Sequence, residues 1–311
     1  MPTLRQLEYL VAVAEERNFR RAAERVHTTQ PTLSEQLKAL EERLGVQLVE
    51  RTRSRVALTP IGIRIVAVAR RMLADANDIK ALAASDGDEL TGVLRIGLPP
   101  TIGPYLLASL IPEFKRVYPG LKLYIREELP SRLPGGLIEG AHDLIVTLLP
   151  VRSREIVTLP LFREPLRLAV VHSHPLGSRD GVRRADLEGL DVLTLAAGHQ
   201  LHDAVNGLCE EVGARLRLDY EGTSLDTLRE MVATGLGVTF LPELYVRAVA
   251  SRDASIRLLD IVDLPVFRVV ALAWRHTSPR QDRYRALGGL IRAIVAREYV
   301  GLHVLHEPST D

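Results

Sequence analysis

The sequence predicts an α/β protein with an all-α N-terminal region, on three observations. The first 60 residues place apolar side chains at helical spacing and then alternate apolar with basic ones. One long apolar stripe follows, and from Val93 onward strand-like and helix-like segments alternate. A chain of 311 residues is long for one core and is expected to divide into two or three domains. Its 46% hydrophobic content gives ample material for burial, which excludes a largely disordered chain.

Each element follows from local pattern. Leu4, Leu7, Val11 and Ala14 recur at helical spacing, as do Phe19, Ala22, Ala23 and Val26. The polar run His27-Thr28-Thr29-Gln30 interrupts them, and Pro31 suits a first helical turn, where its missing N–H costs nothing. The next helix carries Leu33, Leu37, Leu40 and Leu44 in one stripe and stops at Gly45. From Val46 to Leu58, apolar residues alternate with Arg51, Arg53 and Arg55, as in a two-stranded wing with its charges outward.

Pro60 opens another helix. Ile65, Ala69, Met72, Ala76, Ile79 and Ala83 step by four and three, which is the seam of a coiled coil and predicts a dimer. The competing reading is a helix packed on its own domain. The seam is preferred because no neighbouring segment looks free to cover so long a stripe. Ser85-Asp86-Gly87-Asp88 reads as a linker.

Beyond it, Val93–Leu98, Lys122–Glu127, Asp143–Leu148, Leu166–Val171, Val192–Leu195 and Gly237–Leu241 read as strands. Pro104–Tyr118, a segment around Cys209, and Leu225–Thr234 read as helices. Such alternation predicts mostly parallel sheets in two lobes, with ligand clefts at the strand ends. Val266–Trp274 and a helix over Asp282–Ala296 are expected to return the chain to the first lobe. The tail from Gly301 has no readable pattern.

Charge and cysteine content narrow the function. The net charge is +1, from 40 basic and 39 acidic residues, so a uniformly basic nucleic-acid coat is excluded but a local basic patch is not. The stretch from Arg51 to Arg71 holds six arginines and no acidic residue. A single cysteine, Cys209, can neither close an intramolecular disulfide nor supply a cysteine-rich zinc site. No run of about 18 uncharged apolar residues occurs, and charges interrupt the N-terminus where a signal peptide needs an apolar core. The expectation is a cytoplasmic protein with no membrane partner.

Two helices joined by a short turn, over Phe19–Leu44, have the spacing of a helix-turn-helix, whose second helix enters the major groove. Its leucine stripe leaves Pro31, Thr32, Ser34, Glu35 and Lys38 outward, with Gln30 at the N-terminal end. Gln can pair with adenine, Ser and Thr with either partner, and Pro can touch a thymine methyl. Lys38 suits phosphate, and Arg51, Arg53 and Arg55 would let a wing grip backbone or minor groove. Alone, that basic run could equally be a solvated hairpin. Beside the helix pair it favours double-stranded DNA.

The N-terminal residues also resemble a known family. Phe19-Arg20-Arg21-Ala22-Ala23-Glu24, Gln30-Pro31-Thr32-Leu33-Ser34, and Leu40 to Leu48 resemble the signature of LysR-type transcriptional regulators. Glu50-Arg51 and Leu58-Thr59-Pro60-Ile61-Gly62 continue the resemblance, and the α/β remainder is similar to that family's effector domain. It implies a winged helix-turn-helix (1–60), a linker helix (61–90), and a two-lobed, periplasmic-binding-protein-like domain (91–300). Lobe I would span about 91–163 and 268–300, and lobe II about 164–267. It implies homodimers or homotetramers on a palindromic operator, with RNA polymerase as a further candidate partner and no cofactor.

Within that family the chain resembles the peroxide-sensing, OxyR-type branch. The matching stretches are 97–107, 159–165, Gly198-His199 with Leu201 and Asp203, and 223–229. The branch places a peroxide-attacked cysteine directly after the Gly-His pair, where this chain has Gln200; Cys209 corresponds to the partner cysteine. Thr101, His199 and Asp203 match pocket positions, and Pro130 stands where the branch has a second threonine. A carboxamide cannot become a sulfenic acid, so the branch's intramolecular switch is impossible here. Cys209 could be the sensor through a sulfenic acid, a mixed disulfide or an intersubunit disulfide, with His202 as a neighbour able to lower its pKa. It could equally be a buried inert thiol. Alternatively a small ligand enters near Thr101 and His199, or no effector is needed.

Enzyme chemistry finds little support. His199, His202 and Asp203, and the pair His172 and His174, lack metal-site spacing. No nucleophile elbow or P-loop occurs. Gly235-Leu236-Gly237 precedes a strand and reads as a helix-ending turn. The second class of function is a small-molecule binding protein without DNA affinity, which leaves residues 1–60 unexplained.

Overall fold

The computed structural model describes residues 1–51, 56–83, 90–220, 222–264 and 266–306; Arg53 and Arg55 lie outside these, as do the side chains of Arg51 and of 80–83. The chain forms two compact units. Unit 1 is Met1–Asp88 with Gly136–Asp143 and Ser278–Arg280, and unit 2 is Glu89–Gly135, Leu144–Thr277 and Gln281–Asp311.

In unit 1, α1 (Leu4–Glu16) starts at Thr3, whose hydroxyl accepts from Gln6 N while Gln6 Oε1 accepts from Thr3 N, both at 3.2 Å. This reciprocal cap satisfies two donors that the first turn would leave orphaned. Asn18 caps α2 (Phe19–Arg25), and Thr29 caps α3 (Gln30–Leu44). Gly45 ends α3 at φ 68°, a left-handed conformation that a side chain would strain. Leu33, Leu37 and Leu40 are fully buried against Leu10, Val13 and Ala22 in one core.

The wing is the antiparallel pair β1 (Val49–Arg51) and β2 (Val56–Leu58). Glu41 ties it to α3, because its Oε1 accepts from Leu48 N at 2.8 Å and Val49 N at 3.0 Å. Thr59 Oγ1 donates to Gln47 O at 2.8 Å and accepts from Gly62 N at 3.0 Å at the start of α4 (Pro60–Ala83). A Cβ on residue 62 would lie 2.1 Å from Leu48 O, so only glycine fits there.

The expected seam on α4 is corrected in part. Ala69 is 1% exposed and Ile65 packs against the unit's own core, because α1 covers that half of the stripe. Periodicity locates an apolar stripe but does not say what covers it. The exposed apolar residues of α4 are Ile63, Val68, Met72 and Ile79, with Ala76 half-buried. The side chain of Ala83 lies outside the described residues.

In unit 2, β3 (Gly92–Leu98), α5 (Gly103–Val117), β4 (Leu121–Glu127) and β5 (Leu144–Leu148) begin the first lobe, while α6 (Leu133–Ile138) falls across the division at Gly135. β3 pairs in parallel with both β4 and β5. The long β6 (Ile156–Val171) then leads into β7 (Gly181–Val182), β8 (Asp191–Val192), α7 (Gln200–Val212) and β9 (Arg215–Leu216). α8 (Leu225–Ala233), β10 (Thr239–Pro242), α9 (Glu243–Ala248) and β11 (Ile256–Ile261) follow. β12 (Phe267–Arg275), α10 (Gln281–Glu298) and β13 (His303–Val304) complete the chain.

Among the described residues the main sheet runs β4-β3-β5-β12-β6-β11-β7, with β10 and β13 also on β6. This corrects the expectation of mostly parallel sheets. β12 is antiparallel to β5 and β6, and β10, β11 and β13 are antiparallel to β6. The reason is β6, whose 16 residues pair with β12 in their first part and with β10 and β11 in their second. Two separate cores sit on either part of it. One is built from Leu94, Phe162, Trp274 and Leu287, the other from Leu168, Leu193, Leu228 and Phe240.

Candidate functional site

The first candidate surface is the N-terminal end of α3. Gln30, Pro31 and Thr32 are exposed there, Ser34 is half-buried, and Lys38 is exposed one turn on. The three fully buried leucines hold the helix from behind, so these side chains share the outer face. The Thr29 hydroxyl accepts from Thr32 N at 3.3 Å and lies 2.8 Å from Thr32 Oγ1, which fixes the first turn. Lys38 Nζ is 3.6 Å from Glu42 Oε1, an exposed pair of the kind that water screens and that a phosphate can displace. The side chain of Arg51, and Arg53 and Arg55 entirely, lie outside the described residues.

The second candidate is a cleft of about 270 Å³ within unit 2, lined among others by Ser131, Thr147, Arg152, Gly198, Gln200 and Asp203. Pro130 also lines it, at the position where the resemblance had led to a threonine. Gln200 is the first residue of α7. Its Nε2 donates to Leu148 O at 3.2 Å, while its Oε1 is buried with no protein partner. His199, the residue before the helix, is 5% exposed and makes no side-chain cap; its Nδ1 is likewise buried and unpaired. Burial first, and then the neighbouring His202, lower the His199 pKa, so its imidazole is neutral at pH 7. His202 is occupied, with Nδ1 2.9 Å from Leu195 O.

Two expected pocket residues are placed elsewhere. Thr101 does not line this cleft. Its hydroxyl accepts from Arg268 Nη1 at 3.0 Å and its carbonyl from Arg268 Nη2 at 2.9 Å. Arg268 Nε donates to Glu164 Oε2 at 2.6 Å, and Glu164 Oε1 accepts from Leu244 N at 2.8 Å. This buried network satisfies every partner it engages, and it joins the start of α5 to β6, β12 and α9. Cys209 is 2% exposed near the far end of α7. It lies nine positions along the helix from Gln200, or about 13.5 Å along the axis. Burial, and secondarily the Glu210 carboxylate, push its thiol up to about 11.

Sequence reasoning missed Arg268, Thr147, Ser131 and Arg152. Arg268 meets Thr101 across 167 positions, a separation at which no local pattern carries a signal. No group of His, Cys, Asp and Glu among the described residues could hold a metal ion.

A helix-turn-helix with a wing, followed by a two-lobed α/β unit with a polar cleft, is the architecture of a DNA-binding regulator. The family profile described as the bacterial regulatory helix-turn-helix protein, lysR family, matches residues 4–63. The LysR substrate binding domain matches residues 87–296. The chain belongs to the LysR family and is a DNA-binding transcriptional regulator of that type. This sets aside the reading as a binding protein without DNA affinity.

Its relatives are OxyR proteins. The chain is 42% identical over 290 residues to the DNA-binding transcriptional dual regulator OxyR of Escherichia coli, covering 93% of this chain and 95% of that one. Full-length OxyR of Pseudomonas aeruginosa, carrying a cysteine-to-aspartate substitution, matches with a TM-score of 0.77 and 38% identity over 94% of this chain and 98% of that one. A hydrogen-peroxide-bound cysteine-to-serine mutant of Corynebacterium glutamicum OxyR matches with a TM-score of 0.66 and 31% identity, covering 96% and 95%.

Proposed function

We propose that this regulator serves an oxidative-stress response but is switched by reversible occupation of the cleft at the start of α7, with no thiol step. The carrying observation is the contrast along one helix. Gln200 Oε1 is buried and unpaired at the cleft, whereas Cys209 is buried far from it with a raised pKa. A thiol of that pKa is ionised in roughly one molecule in ten thousand at pH 7, and the thiolate is the form that attacks peroxide. The OxyR relatives support the regulatory context. Gln200, at the position where the resemblance puts the reactive cysteine, supports a different chemistry.

In this reading residues 1–60 bind DNA, 61–90 dimerise, and 91–300 sense. Gln30, Pro31, Thr32 and Ser34 read bases, while Lys38 and the arginines 51, 53 and 55 hold phosphate. A homodimer forms through the exposed Val68, Met72 and Ile79, alone or paired into a tetramer on a palindromic operator. The protein works in the cytoplasm beside RNA polymerase and carries out no catalysis.

The test is a DNA footprint with and without peroxide, on wild type and on Cys209→Ala, together with sulfenic-acid trapping. The expected result is no trapped sulfenic acid and identical footprints for the two proteins. Trapping at Cys209, together with a footprint change that the variant loses, would overturn the reading.

A further inference from the structure

A second cleft, of about 510 Å³, opens on unit 2 and shares no lining residue with the cleft at α7. Its floor is set by sheet register. On β6, Arg163 lies opposite Val269 of β12 and opposite His303 of β13, and Pro165 lies opposite Phe267. Alternate residues of a strand share a face, so Arg163, Pro165, Phe267 and His303 form one platform. Directly paired residues hold their Cβ atoms about 4.5–5.5 Å apart, which sets Arg163 and His303 side by side.

Among the described residues no carboxylate pairs with the cation on this platform. The Arg163 guanidinium sits 4.8 Å from the centre of the Phe267 ring and makes no ion pair among the described residues. Phe267 is itself 44% exposed, an unusual state for a phenylalanine. Asp260 is the acidic residue of the lining, and it is engaged by Arg167, whose Nε lies 2.8 Å from Asp260 Oδ1. Leu166, Ile261, Val266 and Leu305 complete an apolar wall.

We propose that this cleft binds a small carboxylate with an aromatic or short aliphatic body. The carboxylate lies on Arg163 and His303, and the body lies against Phe267 and the apolar wall. A guanidinium over an aromatic ring can still offer N–H groups to a carboxylate, which they match through two parallel hydrogen bonds. The volume falls within the range of small-ligand sites, and the mix of an apolar wall with a few convergent polar groups is what such sites share. The proposal is independent of any switch at α7.

The probe is phenylacetate, titrated calorimetrically into the full-length protein, with the neutral isostere phenylacetamide beside it. Phenylacetate is expected to bind saturably, one per chain, and phenylacetamide at least tenfold more weakly. Arg163→Gln should weaken phenylacetate at least tenfold, with Arg163→Lys intermediate because the charge remains and the fork is lost. Arg163 is exposed, so an unchanged thermal midpoint is expected for both variants. Asp203→Asn, at the other cleft, should leave phenylacetate affinity unchanged. Absence of saturable binding at millimolar phenylacetate, equal affinity for acid and amide, or indifference to Arg163→Gln would each overturn the proposal. Loss of binding in Asp203→Asn would also overturn it, by moving the ligand to α7.

Discussion

Of the helices that begin with a glutamine, α3 and α7 place that residue in opposite settings. At α3 the turn is closed by the Thr29 cap, and Gln30 points outward with the next two residues. At α7 the preceding residue, His199, makes no side-chain cap, and Gln200 is folded in with one oxygen unpaired. A helix that must read a rigid partner gains from a first turn whose own donors are already satisfied, because only its outward side chains then discriminate. A helix start that leaves buried polar atoms unpaired holds a free-energy penalty that a ligand can relieve. The same residue type is thus exposed in one unit and folded in with an unpaired oxygen in the other.

The largest effect is expected at the buried network that holds Thr101 away from the α7 cleft. Arg268→Met leaves Glu164, which is fully buried, without its cation. Removing one partner of such a pair costs about 3–5 kcal/mol. Trp274, the one tryptophan, is fully buried in unit 2, so its fluorescence in urea reports this loss directly. A change below about 1 kcal/mol would count against the network, since even a lone neutral hydrogen bond is worth that much.

A smaller effect separates the two glutamines themselves. Gln30→Ala should lose about 1–3 kcal/mol of discrimination at one base pair in a binding-site selection, with no change in the unfolding midpoint. Gln200→Ala should leave the selected operator unchanged. If both variants altered operator preference equally, Gln30 would not be a base-reading residue and the division between the helices would fall.

How much of this was legible follows from where each signal is stored. The helix pair over Phe19–Leu44 and the stop at Gly45 were readable because a buried leucine stripe and a left-handed cap are local requirements. Gly62 was readable as part of a motif, and the structure supplies the cause, its contact with the Leu48 carbonyl. The antiparallel β6 and β12 were not readable as such, because strand direction depends on partners about a hundred residues apart. Nor was the fate of Thr101, a pocket residue by resemblance whose hydroxyl is taken by Arg268. On α4 the apolar repeat was correctly seen, but its first half faces α1. Pattern gives the stripe, and tertiary packing decides its partner.

The finest difference lies within α7, between its two ends, and it can be read by pH. Burial raises the Cys209 thiol from its ordinary 9.0 to about 11. Below about pH 9 both the folded and unfolded chains keep this proton, so the thiol leaves stability independent of pH. Between about 9 and about 11 the unfolded chain releases a proton that the folded chain still holds, and stability therefore falls as pH rises. Other groups titrate in the same window, so the quantity to measure is the wild-type stability minus that of Cys209→Ala at each pH. That difference should decline across the window and stay level below it. A level difference throughout, or a native thiol that iodoacetamide alkylates at pH 7 as fast as a free cysteine, would place Cys209 in a polar and accessible setting. A thiol so placed could react with peroxide, and the contrast between the two ends of α7 would lose its basis.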